Sequence, residues 1–305
     1  MKRKEFIGLA APAAIGLSVF PDTLFAKGPA GVVSARDLNA YLRSLIEVDE
    51  PSVDKVIVGD PDTRITKIGT AWMPYWSTLK EARAKGVNTL VVHEPTFYTH
   101  RDLDETRGGY LSVPSPAKEL YMEQVAAKKQ WIEENKMVVI RCHDVLDKIG
   151  GYGIPFAFGR ALGFKDSDLI NSRTYYNVYR VETKPAIEVA RQIALKLKGV
   201  GQAGVAFYGD ENYPVKSVGL GTGCICDPMQ FMELEMDMAI AIDDSVSTWI
   251  QTTFAEDTGR PLVVVNHGTT EEFGMKELSV QLNRSLDPLE TIHFKQGCSY
   301  RWITA

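Results

Sequence analysis

From Ser34 onward, short apolar runs bounded by turn residues alternate with longer stretches of helical periodicity, and this alternation restricts the fold more than any other feature. A strand needs an apolar or alternating run of about 4–8 residues, whereas a core-facing helix needs about ten or more with one apolar face. Repeated switching between the two specifies an α/β chain. The runs predict strands over residues 64–72, 89–93, 137–142, 175–182, 204–208, 217–220, 238–242, 262–265 and 291–294. Between them, start and stop chemistry predicts helices over 34–47, capped by Ser34, and 77–85, closed by Gly86. Further helices are expected over 115–135, over 185–198 closed by Gly199, and over 245–256 near Gly259. No repeat of fixed period interrupts the pattern.

Composition narrows the class. With 305 residues, 45% hydrophobic and 24% charged, the chain can bury a core without a disulfide framework or structural metal. A net charge of -5 offers no basic surface for a phosphate backbone, so nucleic acid is not expected as a partner. Four cysteines, at 142, 224, 226 and 298, are too irregular for a disulfide or zinc framework, and Cys224-x-Cys226 is expected to be free or buried rather than bridged. Residues 1–26 carry a basic start at Lys2, Arg3 and Lys4, an apolar stretch from Ile7 to Phe20 and small residues near Ala26. This is the pattern of a removed export signal, and Arg3-Lys4-Glu5-Phe6-Ile7 resembles the twin-arginine type with Lys4 replacing the second arginine. The mature chain is expected in the periplasm, without stable membrane insertion.

Three of the five histidines sit where strands end: His93 after Leu90-Val91-Val92, His143 after the run from Met137 to Cys142, and His267 after Leu262 to Asn266. Ligands of open α/β sheets bind outside the carboxyl ends of strands, so three such exits can converge. Each brings carboxylates: Glu94, Asp144 and Asp147, and Glu271. Imidazole with carboxylate is the donor set of zinc, iron or manganese. His267 and Glu271, four apart, share one face if the segment is helical. So many carboxylates suit two ions about 3.5–4 Å apart rather than one.

At these residues the chain resembles the NIF-three-like (NGG-interacting factor three-like) family, many of whose members carry the name GTP cyclohydrolase I type two. The resemblance runs through Val56-Ile57-Val58-Gly59-Asp60, Leu90-Val91-Val92-His93-Glu94-Pro95, His143-Asp144-Val145-Leu146-Asp147, Gly219-Leu220-Gly221-Thr222-Gly223 and Asn266-His267-Gly268-Thr269-Thr270-Glu271. It implies two similar α/β lobes of mixed sheets flanked by helices, with a dinuclear metal site in the cleft and ring-shaped homo-oligomers such as hexamers. The family's first motif reads His-His-Pro, so His93 matches a ligand and Glu94 replaces one, and the expectation is one or two divalent ions (zinc, iron or manganese). Asp147, His267 and Glu271 match the remaining ligands, and His143 is implied to line the cleft. The resemblance covers 34–305, with one lobe formed by about 34–170 and about 260–305, and the other by about 171–259.

The remaining residues carry weaker signals. His100, in the polar loop 96–114, and His143 are the candidate proton-transfer residues. Gly219 to Gly223 lacks the lysine of a phosphate-binding loop and is expected to line the cleft. Trp72, Tyr75 and Trp76 can stack a flat substrate, although packing is the commoner use of such side chains. A divalent-metal hydrolase acting on a polar small molecule, such as a nucleotide or another phosphoester or ring C–N substrate, is the leading expectation. The alternative is a non-catalytic metal-binding or scaffold protein of the cell envelope.

Overall fold

A computed structural model describes residues 31–104, 115–221, 223 and 227–303. The expected signal at 1–26, part of the polar loop, and Cys224 and Cys226 lie outside the described residues.

The strands are β1 (Val56–Val58), β2 (Ile68–Ala71), β3 (Thr89–Val92), β4 (Val138–Arg141), β5 (Leu169–Arg173), β6 (Tyr176–Pro185), β7 (Ala206–Tyr208), β8 (Pro214–Gly221), β9 (Met238–Ile242), β10 (Leu262–Val265) and β11 (Thr291–His293). The helices are α1 (Ala35–Ser44), α2 (Trp76–Ala84), α3 (Pro116–Glu134), α4 (Asp144–Lys148), α5 (Ile154–Leu162), α6 (Ala186–Leu197), α7 (Pro228–Glu233), α8 (Thr253–Thr258) and α9 (His267–Ser285).

Two mixed sheets result. The first has the order β1-β4-β3-β2-β11, parallel except for β1. The second has the order β5-β6-β8-β9-β10-β7, with β8, β9 and β10 parallel and the edges antiparallel. β10 pairs with β9 and β7, so the chain returns to the first sheet after β10 rather than near residue 260. β3 and β4 are buried along their whole length, as expected of parallel strands covered on both faces. On one face, Val91, Val138 and Ile140 pack with Leu38 and Leu42 of α1 and Met275 and Leu278 of α9. On the other, Leu90, Val92 and Val139 meet Leu79 of α2 and Val125 and Ile132 of α3. The second lobe builds its core from Val178, Val218, Ile240 and Val263 against Val189 and Ile193 of α6 and Phe158 of α5.

Local chemistry explains the helix ends. Ser34 Oγ accepts from the Asp37 amide at 3.2 Å while Asp37 accepts from the Ser34 amide at 2.9 Å, a reciprocal cap. Ser115 caps α3 ahead of Pro116 in one direction only, its hydroxyl accepting from the Lys118 amide at 3.2 Å. The expected helix over 245–256 forms differently. Asp243–Ser245 is a 3₁₀ turn and Thr248–Thr252 a π-helical turn before α8 begins. The hydroxyls of Thr252 and Thr253 both donate to the Thr248 carbonyl, at 2.9 and 2.7 Å, competing with the regular ladder there.

Candidate metal centre

The three strand exits foreseen from sequence meet in the cleft between the lobes. After β3 the chain turns beside Trp72, whose carbonyl accepts from the amides of His93 and Glu94 at 3.1 and 3.0 Å. This fixes the His93 ring in a fully buried position. His93 Nδ1 lies 3.2 Å from the Cys142 carbonyl, which can only accept. Nδ1 therefore carries the proton, and the lone pair of neutral His93 is on Nε2, the atom facing Asp147 Oδ1 at 3.5 Å and Glu271 Oε2 at 3.4 Å.

Asp54 shapes the second exit. Its buried carboxylate accepts from the amides of His143, Asp144 (3.1 Å) and Val145 (2.8 Å), holding the short helix α4 by its first turn. Burial raises the Asp54 carboxyl above its ordinary value. One turn on, Asp147 is 3% exposed and directed at His93. The His143 ring stacks on His93, with centroids 4.5 Å apart, and its Nδ1 lies 3.0 Å from Asp144 Oδ1.

The third exit enters α9 directly, so the conditional spacing of His267 and Glu271 is realised: His267 Nε2 is 3.0 Å from Glu271 Oε1. Asp243 accepts from the His267 amide at 3.0 Å, and Asp244 accepts from His267 Nδ1 at 2.7 Å. This carboxylate–imidazole pair again leaves Nε2 as the atom turned inward. Trp72 Nε1 donates to Glu271 Oε2 at 2.7 Å. Glu94 places Oε1 3.4 Å from His267 Nε2 and 3.8 Å from His143 Nε2.

Four buried atoms here, His93 Nε2, Asp147 Oδ1, His267 Nε2 and Glu271 Oε1, have no hydrogen-bond partner. Such atoms are costly unless something else satisfies them. Their donor types and mutual orientation fit a divalent cation. Two overlapping trios, His93 with His143 and Asp147, and His93 with Glu94 and Glu271, each offer ligand atoms within 4.8 Å of one another. His143, expected to line the cleft and to transfer protons rather than to ligate, thus stands inside one trio.

The electrostatics agree. Burial opposes charge on His93, but Glu271 and Asp147 outweigh it and raise the imidazole to about 10. His267 is likewise raised, by Glu271, Asp244 and Glu94, against burial. Burial raises Asp147 to about 6. Glu271, despite its burial, is held well below the carboxylate range by His267 and His93. The group is built to receive positive charge, as protons or as metal.

His100 sits at the exposed rim with its ring edge-on to His143 at 5.6 Å. Partial burial and then Arg141 lower its imidazole below the ordinary value, favouring the neutral ring. Several contributors were not foreseen as site residues: Asp54, Arg141, Asp244 and the orienting role of Trp72. Asp243 and Asp244 directly follow β9 and so lie at a fourth strand exit, one that brings carboxylates without a histidine. Gly223 backs onto the site, since a Cβ there would lie 3.0 Å from Glu271 Oε1 and 3.3 Å from His267 Nε2. Among the described residues no helix is long and apolar enough to cross a membrane.

Solved structures share this architecture. Staphylococcus aureus protein SA1388 matches with TM-score 0.68 and 16% identity, over 89% of this chain and 99% of that one. HcgD from Methanocaldococcus jannaschii matches with TM-score 0.60 and 21% identity, over 85% and 97%. A Bacillus cereus protein related to NIF3 matches with TM-score 0.66 and 10% identity, over 90% and 100%. No curated protein matches the sequence. The Duf34/NIF3 (NGG1p interacting factor 3) model matches residues 52–296, which contain every residue of the cluster, and the chain belongs to that family.

Proposed function

We propose that this protein is a divalent-metal-dependent hydrolase in which His93, Glu94, Asp147, His267 and Glu271 hold two ions, acting on a polar small molecule with a phosphoester or ring C–N bond, such as a nucleotide. The observation that carries the reading is the set of four buried ligand atoms without partners, two of them imidazole nitrogens freed by hydrogen bonds on the opposite side of the ring. A bound divalent ion supplies Lewis acidity and brings the pKa of a coordinated water down to about 7. The protein does the rest. Trp72 fixes the Glu271 carboxylate, Asp244 and the Cys142 carbonyl fix the imidazole tautomers, and Asp54 fixes the turn that carries His143 and Asp147. His143 and the rim residue His100 are placed to pass a proton between the cleft and the leaving group.

We place the substrate in a groove near the cluster, lined by none of the proposed ligands themselves. The groove, of about 270 Å³, is lined by Tyr75, Thr78, Phe294, Gln296, Gly297 and Ser299. It adjoins the cluster through Tyr75, whose ring is 6.4 Å from that of Trp72, which itself bonds Glu271. The polar lining suits a hydrogen-bonding substrate, and the Tyr75 ring offers a face to a flat one. Elemental analysis of the native protein beside a His267→Ala, Glu271→Ala variant tests the reading, followed by a screen of nucleotides and phosphoesters with the metal found. Two ions per chain that vanish in the variant together with turnover support it, and full turnover by metal-free protein rejects it.

A second reading, a non-catalytic metal-binding or scaffold protein of the cell envelope, draws on depth. His93 and Glu271 are fully buried, as suits retention of an ion, and metal content without turnover on any substrate of the screen would select it. Export to the periplasm through residues 1–26 and assembly into a homo-oligomer complete the proposal. Exposed Trp249, Ile250 and Phe254 on neighbouring turns are compatible with a subunit contact. Fractionation of an Arg3, Lys4 variant and light scattering of the mature protein test the two points.

A further inference from the structure

Arg141 is fully buried, a position that a guanidinium occupies only when paired. Its Nε donates to the His93 carbonyl at 2.9 Å, and one terminal nitrogen donates to the His100 carbonyl. The same terminal nitrogen stands 3.6 Å from Asp102 Oδ2, and the other stands 3.5 Å from Glu94 Oε2. Asp102 is itself anchored, accepting from the amides of Thr96 and Phe97 at 2.6 and 2.9 Å. The end of β4 thus carries a cation between two carboxylates, one of them in the proposed metal cluster.

The consequence lies in the two oxygens of Glu94. Oε2 faces Arg141, while Oε1 faces His143 and His267. We infer that Arg141 is a positioning residue for Glu94: it holds one oxygen back and offsets its charge, so that Glu94 serves the cluster as a one-oxygen ligand. Position 94 then adds a hard oxygen donor without adding a full negative charge. This rests on the metal reading above and goes beyond it in saying how this chain tolerates a carboxylate at position 94. An oxygen in place of an imidazole favours manganese or iron(II) relative to zinc at that position.

The test is a charge-swap cycle on the full mature chain, reading Mn²⁺ affinity from the paramagnetic resonance of free Mn²⁺ and Zn²⁺ affinity by chelator competition. Glu94→His leaves the site with one positive charge too many, and both metals should bind roughly 10–100-fold more weakly, the usual range for a disturbed partner of a metal ligand. Adding Arg141→Gln restores the net charge while keeping an N–H donor for the neighbouring carbonyls. Most of the affinity should then return, with the balance moved toward Zn²⁺. A merely structural Arg141 predicts the opposite, since the double variant would bind no better than Glu94→His alone. That result overturns the inference, as does native affinity in Glu94→His. If the Gln double variant does not fold by circular dichroism, Arg141→Met takes its place with the same expectations. Native protein that binds neither metal removes the metal reading itself, whereas native binding without recovery in the double variant removes only the role given to Arg141.

Discussion

The indole Nε1 of Trp72 donates to Oε2 of Glu271 at 2.7 Å, joining the end of β2 in the first sheet to the N-terminal part of α9, the helix that follows β10 of the second. The bond decides which oxygen is free. With Oε2 engaged, Oε1 is the oxygen that faces His267 Nε2 at 3.0 Å without a hydrogen-bond partner. The Trp72 ring also packs against the His267 ring at 5.6 Å.

Replacing Trp72 by Phe removes this donor and keeps most of the packing. Glu271 is then free to rotate, and metal affinity should fall roughly 10–100-fold. The fold should persist, because the lost interaction is one hydrogen bond to a charged group, worth about 1.5–3 kcal/mol. Chelator competition beside a thermal melt separates the two effects. Unchanged affinity would show that Glu271 is oriented by something other than Trp72.

Gly223 supplies a second check on the same carboxylate. It has φ +39, and an added Cβ would sit 3.0 Å from Glu271 Oε1. Gly223→Ala should therefore displace Glu271 or His267 and weaken metal binding, at a backbone cost of about 1–2 kcal/mol for a left-handed alanine. Metal content per chain after dialysis against a weak chelator reads the outcome. A variant as metal-rich as the native protein would place the ligand atoms away from Gly223.

Metal uptake should release protons. Metal-free protein keeps a proton on His93 up to about pH 10, because neighbouring carboxylates raise that group above its ordinary 6.5. A ligating imidazole must be neutral, so apparent affinity rises with pH until that proton is already gone. Below about pH 6, Asp147 also binds a proton, and affinity should fall more steeply. Titration calorimetry in two buffers of different ionisation enthalpy counts the protons. Release of none at pH 7 would contradict the protonated metal-free cluster.

How much of this was legible follows from where each residue's partner lies. His93, Asp147 and His267 could be found because each belongs to its own strand exit, a local pattern. Trp72 and Arg141 could not, because the partners that give them meaning are carbonyls and carboxylates brought close only by the fold. Four helices, α4, α5, α7 and α9, lie outside the expected ranges, and for the two longest of them, α5 and α9, the cause is related. α5 packs on α9 and also on β6 and β8, and α9 buries Thr269, Thr270, Glu271 and Glu272 in succession. Helices buried on more than one side lose the one-faced periodicity by which a surface helix is recognised. The exit of β9 was overlooked for a different reason: Asp243 and Asp244 carry no histidine, and their role is to cap α9 and hold the His267 ring.

Away from the cluster, Lys128 makes a prediction about stability alone. This side chain of α3 is buried, donates to the Thr96 carbonyl at 3.0 Å and lies 5.3 Å from the Tyr98 ring centroid. Burial lowers its ammonium from 10.5 to about 8, with Asp102 opposing only in part. Between those two values the unfolded chain holds a proton that the folded chain has lost, so stability rises with pH across the window. Below about pH 8 both states are charged and the burial penalty is felt in full. The gain from pH 8 to 10.5 should approach roughly 3 kcal/mol. Other groups titrate in the same range, so the quantity to measure is the difference between native protein and Lys128→Met in urea unfolding along this pH series. The native protein should gain on the variant as pH rises, and parallel curves would show that the Lys128 amine titrates at its ordinary value.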